Sequence, residues 1–372
     1  MEVKYSSSAL RVISLSLVAF ALPAAAAPTV YEMRLTTSAG MAGMAGGGMG
    51  SILGMMTGSA GSNVSRNMNL RLTSPTDLPA SYDAAHTVPD GMRIGPQLPL
   101  RGERRTTGGG GGSGGDGEPD GRVLIYWGCS PTVQKGQPEI IDFRSLAGKV
   151  PPEVQAMARQ SRSQGKAAAG DASLPPRTIS WPSGDRDFRS IPDNASTVGE
   201  HVVKTNFMKD EIRFTLTPAL DFLEPMNLKA RSSDLKAAIP LGWDALTRAR
   251  GYDLQAVSAN GDKDVVMWLA ARNKSPMLPA SQNECTIPEG IFAKGEMAML
   301  TGVAHGPVQG FSYPPQKPGE KKPLIWSATV HITAFDSVIL GMEAAATGAA
   351  RESAKESAMP GVGDVLKGLF GR

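Results

Sequence analysis

The chain has 372 residues, 41% of them hydrophobic and 6% aromatic, a formal net charge of +3, and 43 Gly and 28 Pro. That is enough apolar sequence for a sizeable core, and the clustered Gly and Pro divide it into ordered stretches and connections. The small net charge and few aromatics exclude a nucleic-acid groove, which needs a basic face with interleaved stacking residues.

The first element reads as an export signal. Lys4 and Arg11 make a basic start, residues 12–22 an apolar core, and Ala24, Ala25, Ala26 and Ala27 the small residues a signal peptidase accepts. The expected cut follows Ala26, because a cut after Ala27 would put Pro28 behind the scissile bond. An apolar core of about 11 residues is short of the ~20 that a spanning helix needs. No cysteine stands at the cut to carry a lipid. Residues 1–26 are thus expected to be a signal peptide, and the mature protein to be exported: periplasmic, outer-membrane-associated or secreted. No later segment has the length and apolarity of a transmembrane span.

Residues 27–100 form an N-terminal region. Residues 28–37 alternate and predict a strand, as do residues 69–73. Between them, residues 40–61 hold nine Gly and five Met, a low-complexity loop by composition. Residues 78–100 are rich in Pro and turn residues, and residues 101–121 are a Gly-rich linker.

Residues 122–217 read as a β-rich region. Strands are expected at 122–128, 139–143 and 178–181, with a paired hairpin at 201–207 and 211–216. Pro151 and Pro152 open a short helix ending at Arg159. Residues 160–176 are polar loop.

Residues 218–342 carry the clearest patterning. Ile239, Leu241 and Trp243 alternate with smaller or polar neighbours; Tyr252, Leu254 and Ala256 do so again; Val265, Met267 and Leu269 follow the turn Asn260-Gly261. Asn-Gly between alternating runs signals a hairpin with a type I′ turn. These runs are expected to form a three-strand meander. Further strands are expected at 297–303 and 324–335, with Trp326, Ala328, Val330, Ile332 and Ala334 on one face. Trp127, Trp243, Tyr252 and Trp326 are the expected core anchors. Residues 343–372 read as a flexible tail. In it Val362, Val365, Leu366, Leu369 and Phe370 would fall on one stripe of a short amphipathic helix over 361–372.

Trp243, Gly251-Tyr252 and the late segment from Gly302 to Gly306 resemble a fibronectin type III or related immunoglobulin-like domain. The resemblance implies a β-sandwich over roughly 218–342, preceded by the β-rich region with its short helix. The tyrosine that the family carries on that late strand is absent here, where Met297 and Met299 stand. A second resemblance covers the mature chain. Tyr126-Trp127-Gly128-Cys129, Gly136-Gln137-Pro138 with Ile141-Asp142-Phe143, Cys285-Thr286-Ile287-Pro288 and Phe311-Ser312-Tyr313-Pro314-Pro315 are similar to an uncharacterised family of exported proteins of Gram-negative bacteria. It implies export and carries no activity with it.

Of the residues that bear chemistry, Cys129 and Cys285 are the disulfide candidate, since cysteines in an oxidising compartment pair. The alternatives are two buried thiols, or a reactive Cys129 with His305 as its base. Met41, Met44, Met49, Met55 and Met56 offer thioethers to Cu(I), or simply make an adaptable apolar loop without His or Cys to complete a site. His86, His201, His305 and His331 are scattered without ligand spacing, and the pairs Asp262/Asp264 and Asp185/Asp187 read as solvated turns. No cofactor motif is present. The expectation is an exported, non-catalytic envelope or secreted protein that binds an envelope or extracellular partner or plays a structural part. Peripheral membrane contact through 361–372 belongs to that expectation. The alternative is an enzyme of unrecognised type or a periplasmic Cu(I)-binding protein.

Overall fold

The computed structural model describes residues 27–40, 64–102, 121–142, 177–184, 187–261, 264–272, 277–317, 319–320 and 322–341. The expected signal peptide, the methionines of the Gly/Met-rich loop, the helix opened by Pro151, most of the Gly-rich linker and the C-terminal tail lie outside the described residues.

The described chain is mainly β. In order its strands are β1 (Thr29–Ala39), β2 (Ser65–Thr73), β3 (Ala84–Thr87), β4 (Gln97–Pro99), β5 (Arg101–Gly102), β6 (Arg122–Trp127), β7 (Glu139–Asp142), β8 (Thr178–Trp181) and β9 (Gly199–Thr205). There follow β10 (Ile212–Leu216), β11 (Lys229–Ala230), β12 (Ile239–Gly242), β13 (Gly251–Asn260), β14 (Asp264–Leu269), β15 (Leu278–Pro279), β16 (Glu284–Ile287), β17 (Ala298–Tyr313) and β18 (Trp326–Leu340). Two 3₁₀ turns, at Asp90–Met92 and Pro218–Leu220, lie wholly within the described residues. No helix among the described residues is long and apolar enough to cross a membrane.

One large sheet runs β5-β8-β2-β1-β18-β17-β13-β14-β6-β7, with β15 paired to β13. Its centre is the pair β17–β18, and β1 lies parallel to β18 with Thr29 opposite Trp326. Alternation explains why β18 sits there: Trp326, Ala328, Val330, Ile332 and Ala334 are all buried on one face. Two smaller sheets cover that face, β10-β9-β3-β4 and β11-β12-β16. One core cluster includes Tyr31, Met33 and Leu35 of the large sheet, Leu98 and Val203 of the four-stranded sheet, and Leu241 and Ile287 of the three-stranded sheet.

The expected meander is half right. β13 and β14 form the antiparallel hairpin, with Asn260 opposite Asp264 and Gly261 at φ +72°. That pairing leaves three residues in the loop, one more than a type I′ turn. β12, however, pairs with β11 and β16 in the other layer. Between Gly242 and Gly251 the chain turns a corner: the amide of Leu246 donates to the hydroxyl of Tyr252 at 2.9 Å, and the Trp243 and Tyr252 rings meet across the layers at 5.4 Å. Alternation marks a strand's buried face but does not name its partner. β17 also outruns its expected end. A register shift between His305 and Val308 absorbs Gly306 and Pro307, and pairing resumes to Tyr313.

Candidate functional site

The two cysteines are bonded to each other, Cys129 just past β6 and Cys285 in β16, 156 residues apart in sequence. The bond ties the margin of the large sheet to the three-stranded sheet. Backbone bonds run beside it: Ser130 N donates to Thr286 O and Glu289 N to Pro131 O. Since both sulfurs are used, the reactive-cysteine alternative falls away. His305 stands on β17, its Nε2 2.7 Å from the Asp253 carboxylate.

The sequence motifs beside the bond have local jobs. The Gln137 amide binds Trp127 as a strand neighbour would, donating to its carbonyl at 2.8 Å and accepting from its amide at 3.0 Å. Trp127, expected in the core, is half-buried instead. It lies on the outer side of the sheet beneath the Arg272 guanidinium, 4.7 Å from its ring centre, and Arg272 is held in turn by Glu139. Trp243, Tyr252 and Trp326 are buried. Asp264 pairs with Arg122, and Asp187 accepts from Ser183 and Gly184 in its own turn.

What the sequence did not reveal is a buried chain of polar rings. Tyr31 on β1, His86 on β3 and His201 on β9 are all fully buried. The Tyr31 hydroxyl is 2.7 Å from His86 Nδ1, His86 Nε2 is 2.9 Å from His201 Nδ1, and His201 Nε2 is 2.7 Å from the Thr197 carbonyl. The carbonyl can only accept, so His201 carries its proton on Nε2. Its Nδ1 must then accept, so His86 donates from Nε2 and accepts the Tyr31 proton at Nδ1. Every nitrogen is satisfied with both imidazoles neutral, and burial disfavours their charged forms. Burial, with His201 beside it, pushes His86 well below its ordinary range; burial also lowers His201, against the opposing pull of the Thr197 carbonyl and Asp221. Burial alone pushes Tyr31 well up. The Phe214 ring stacks on His201 at 5.4 Å and helps seal the chain. Behind Thr197, burial tends to raise Asp221, but donors from Ser196, Thr197 and Phe222 outweigh it and hold the carboxylate ionised. The arrangement joins β1 to the four-stranded sheet. The available signal was one of phase: His86 shares the buried face of β3 with Ala84.

The other surface of note is the outer face of the large sheet. Cross-strand register aligns Ile125, Met267, Val257, Met299 and Ile339 in one row over β6, β14, β13, β17 and β18. All five are half-buried and stand outside the core cluster. A shorter row beside it holds Ile141, Val123, Val265 and Ala259. Further along, the same face turns polar, with Asp253, His305, Thr333 and His331.

No protein-family model matches the chain. No curated protein matches it either. The reading of function therefore rests on the chain's own sequence and geometry.

Proposed function

We propose that this is an exported envelope or secreted protein of a Gram-negative bacterium that acts by binding a partner or as a structural element. The observation that carries the reading is the Cys129–Cys285 bond, a cross-link that persists in oxidising compartments and is rare in reducing ones. The basic start, apolar core and alanine run of residues 1–26 point the same way. So does the similarity of the Tyr126-Trp127-Gly128-Cys129 and Gly136-Gln137-Pro138 segments to exported proteins.

We read residues 218–342 as a fibronectin type III-like sandwich. The strand order supports this: β11-β12-β16 face β18-β17-β13-β14, three strands against four. Residues 27–100 and 122–217 supply strands that lengthen the four-strand side at both margins. A sandwich of this kind presents loops at its ends for partners. Binding also fits the state of the reactive groups, since the two cysteines are joined and the two buried imidazoles have both nitrogens engaged.

The test is mass spectrometry on protein from the envelope fraction, with thiols blocked before lysis. The expected result is a chain that starts at Ala27 and carries the Cys129–Cys285 link. A chain with Met1 intact and two blocked thiols rejects export. Cross-linking in intact cells then reads the binding role, with adducts expected on the loops of residues 218–342.

A further inference from the structure

We propose that the outer face of the large sheet is the seat of the chain's own C-terminal residues 361–372, which lie across the row Ile125–Met267–Val257–Met299–Ile339.

The sheet asks for a cover on this side. A sheet with one wetted face alternates apolar and polar residues, whereas one covered on both faces reads as continuous apolar runs. Val265-Val266-Met267-Trp268-Leu269 in β14 and Val123-Leu124-Ile125-Tyr126-Trp127 in β6 are such runs. Val266 and Trp268 belong to the core, while Met267 and Leu269 on the other face are half-buried and lie outside the core cluster.

The dimensions fit the tail. Five strands at about 4.8 Å spacing make the row about 19 Å long. Residues 361–372 as a helix measure about 18 Å. The stripe of Val362, Val365, Leu366, Leu369 and Phe370 would lie on the row, with Asp364 and Lys367 on the opposite side. So short a helix gains little stability alone in water and needs a surface to pack on.

The chain also leaves the sheet at the right place. Ile339 is the last member of the row. Two residues on, Gly341 takes φ +92°, where an added Cβ would lie 2.7 Å from the Glu296 carbonyl, so the turn there requires glycine. Residues 342–360 span up to about 60 Å extended, more than a return to the face needs.

Met267 and Met299 are natural reporters, because oxidation to the sulfoxide follows exposure. In full-length protein under dilute peroxide both should oxidise slowly. Deleting residues 361–372, or introducing Leu366→Asp with Phe370→Asp, should speed both several-fold and leave the buried Met33 and Met92 unchanged. Independently, Phe370→p-benzoylphenylalanine should photo-cross-link within its own chain to residues of the row. Three results overturn the proposal: unchanged Met267 and Met299 rates after deletion; cross-links to any other part of the chain or to a second copy; and tail-dependent sedimentation with anionic vesicles without protection of the two methionines. The last would assign the tail to a lipid surface.

Discussion

The large sheet is closed by two small sheets that do the same job with different chemistry. The three-stranded sheet is held by apolar packing, Trp243 on Tyr252, and by the covalent Cys129–Cys285 bond. The four-stranded sheet is held at its heart by the polar chain Tyr31–His86–His201, embedded among apolar residues. A methylene core tolerates small shifts, and a covalent bond ignores pH. A relay of neutral hydrogen bonds does neither: each member fixes the next one's tautomer, and an added proton leaves a charge in a buried site. The lesson is that one half of the cover should answer to reductant and the other to acid.

The largest expected effect strikes the apolar side. Trp243→Ala should cost about 3–5 kcal/mol, the range for deleting a buried aromatic, read from denaturant midpoints. Trp243→Phe should cost much less. The indole Nε1 has no hydrogen-bond partner among the described residues, so its loss strands nothing. A Trp243→Ala protein as stable as wild type would show that the ring does not hold these layers together.

Next comes the covalent tie. Replacing both Cys129 and Cys285 by Ala should lower stability by about 2–5 kcal/mol, since the bond closes a long loop in the unfolded chain. Hydrogen exchange should rise first over residues 284–287 and 122–131 while residues 84–102 keep their protection. If instead both small sheets loosen together, the two closures are not independent.

On the polar side, Tyr31→Phe removes the proton that His86 Nδ1 accepts and leaves that buried nitrogen empty, at about 1–3 kcal/mol. Acid should reach the same place. Both imidazoles titrate below their unfolded value of about 6.5, so the unfolded chain binds protons first. Their contribution is complete above about pH 6.5 and fades as pH falls from there through the lowered folded values. Asp336 acts in the opposite sense: burial raises its pKa despite amide donors from Leu228 and Ser337, so it favours folding as it takes up a proton. Unfolding measured between pH 7.5 and 5 should show stability falling, and the double variant His86→Gln with His201→Gln should flatten that slope. The ring carbons of both histidines, followed by NMR, report neutral imidazole directly. A wild-type slope of zero, with both rings protonated at pH 6, would dispose of the acid-sensitive half of the contrast.

How much of this was legible depended on sequence distance and strand length. β13 and β18 could be read because each repeats its buried phase three or more times, and the β13–β14 partnership because Asn260-Gly261 is local; β14 is apolar on both faces, and the phase expected for it, Val265, Met267 and Leu269, is the outer one, while Val266 and Trp268 enter the core. β3, β4 and β16, of three or four residues, repeat too few times for a period to show. They sit among prolines that read equally well as loop. Cys129 and Cys285 could be offered as a pair because the sequence has two cysteines and its start reads as an export signal, and the bond is formed. The histidine chain could not. His86 and His201 are 115 residues apart, and a histidine in the buried phase of a short strand looks the same whether it faces a lipid-like core or another imidazole. Trp127 misled for a related reason: in a run apolar on both faces, the ring's size does not say which face it takes.

The parallel pairing of β1 with β18 sets an order of events in the life of the chain. β1 can zip onto β2 early, but its other edge stays open until residues 326–340 arrive, nearly three hundred positions later. Closing so distant a contact is slow, because the loop entropy must be met before the pairing returns anything. The seam between β1 and β18 can therefore close only once residues 326–340 have been made.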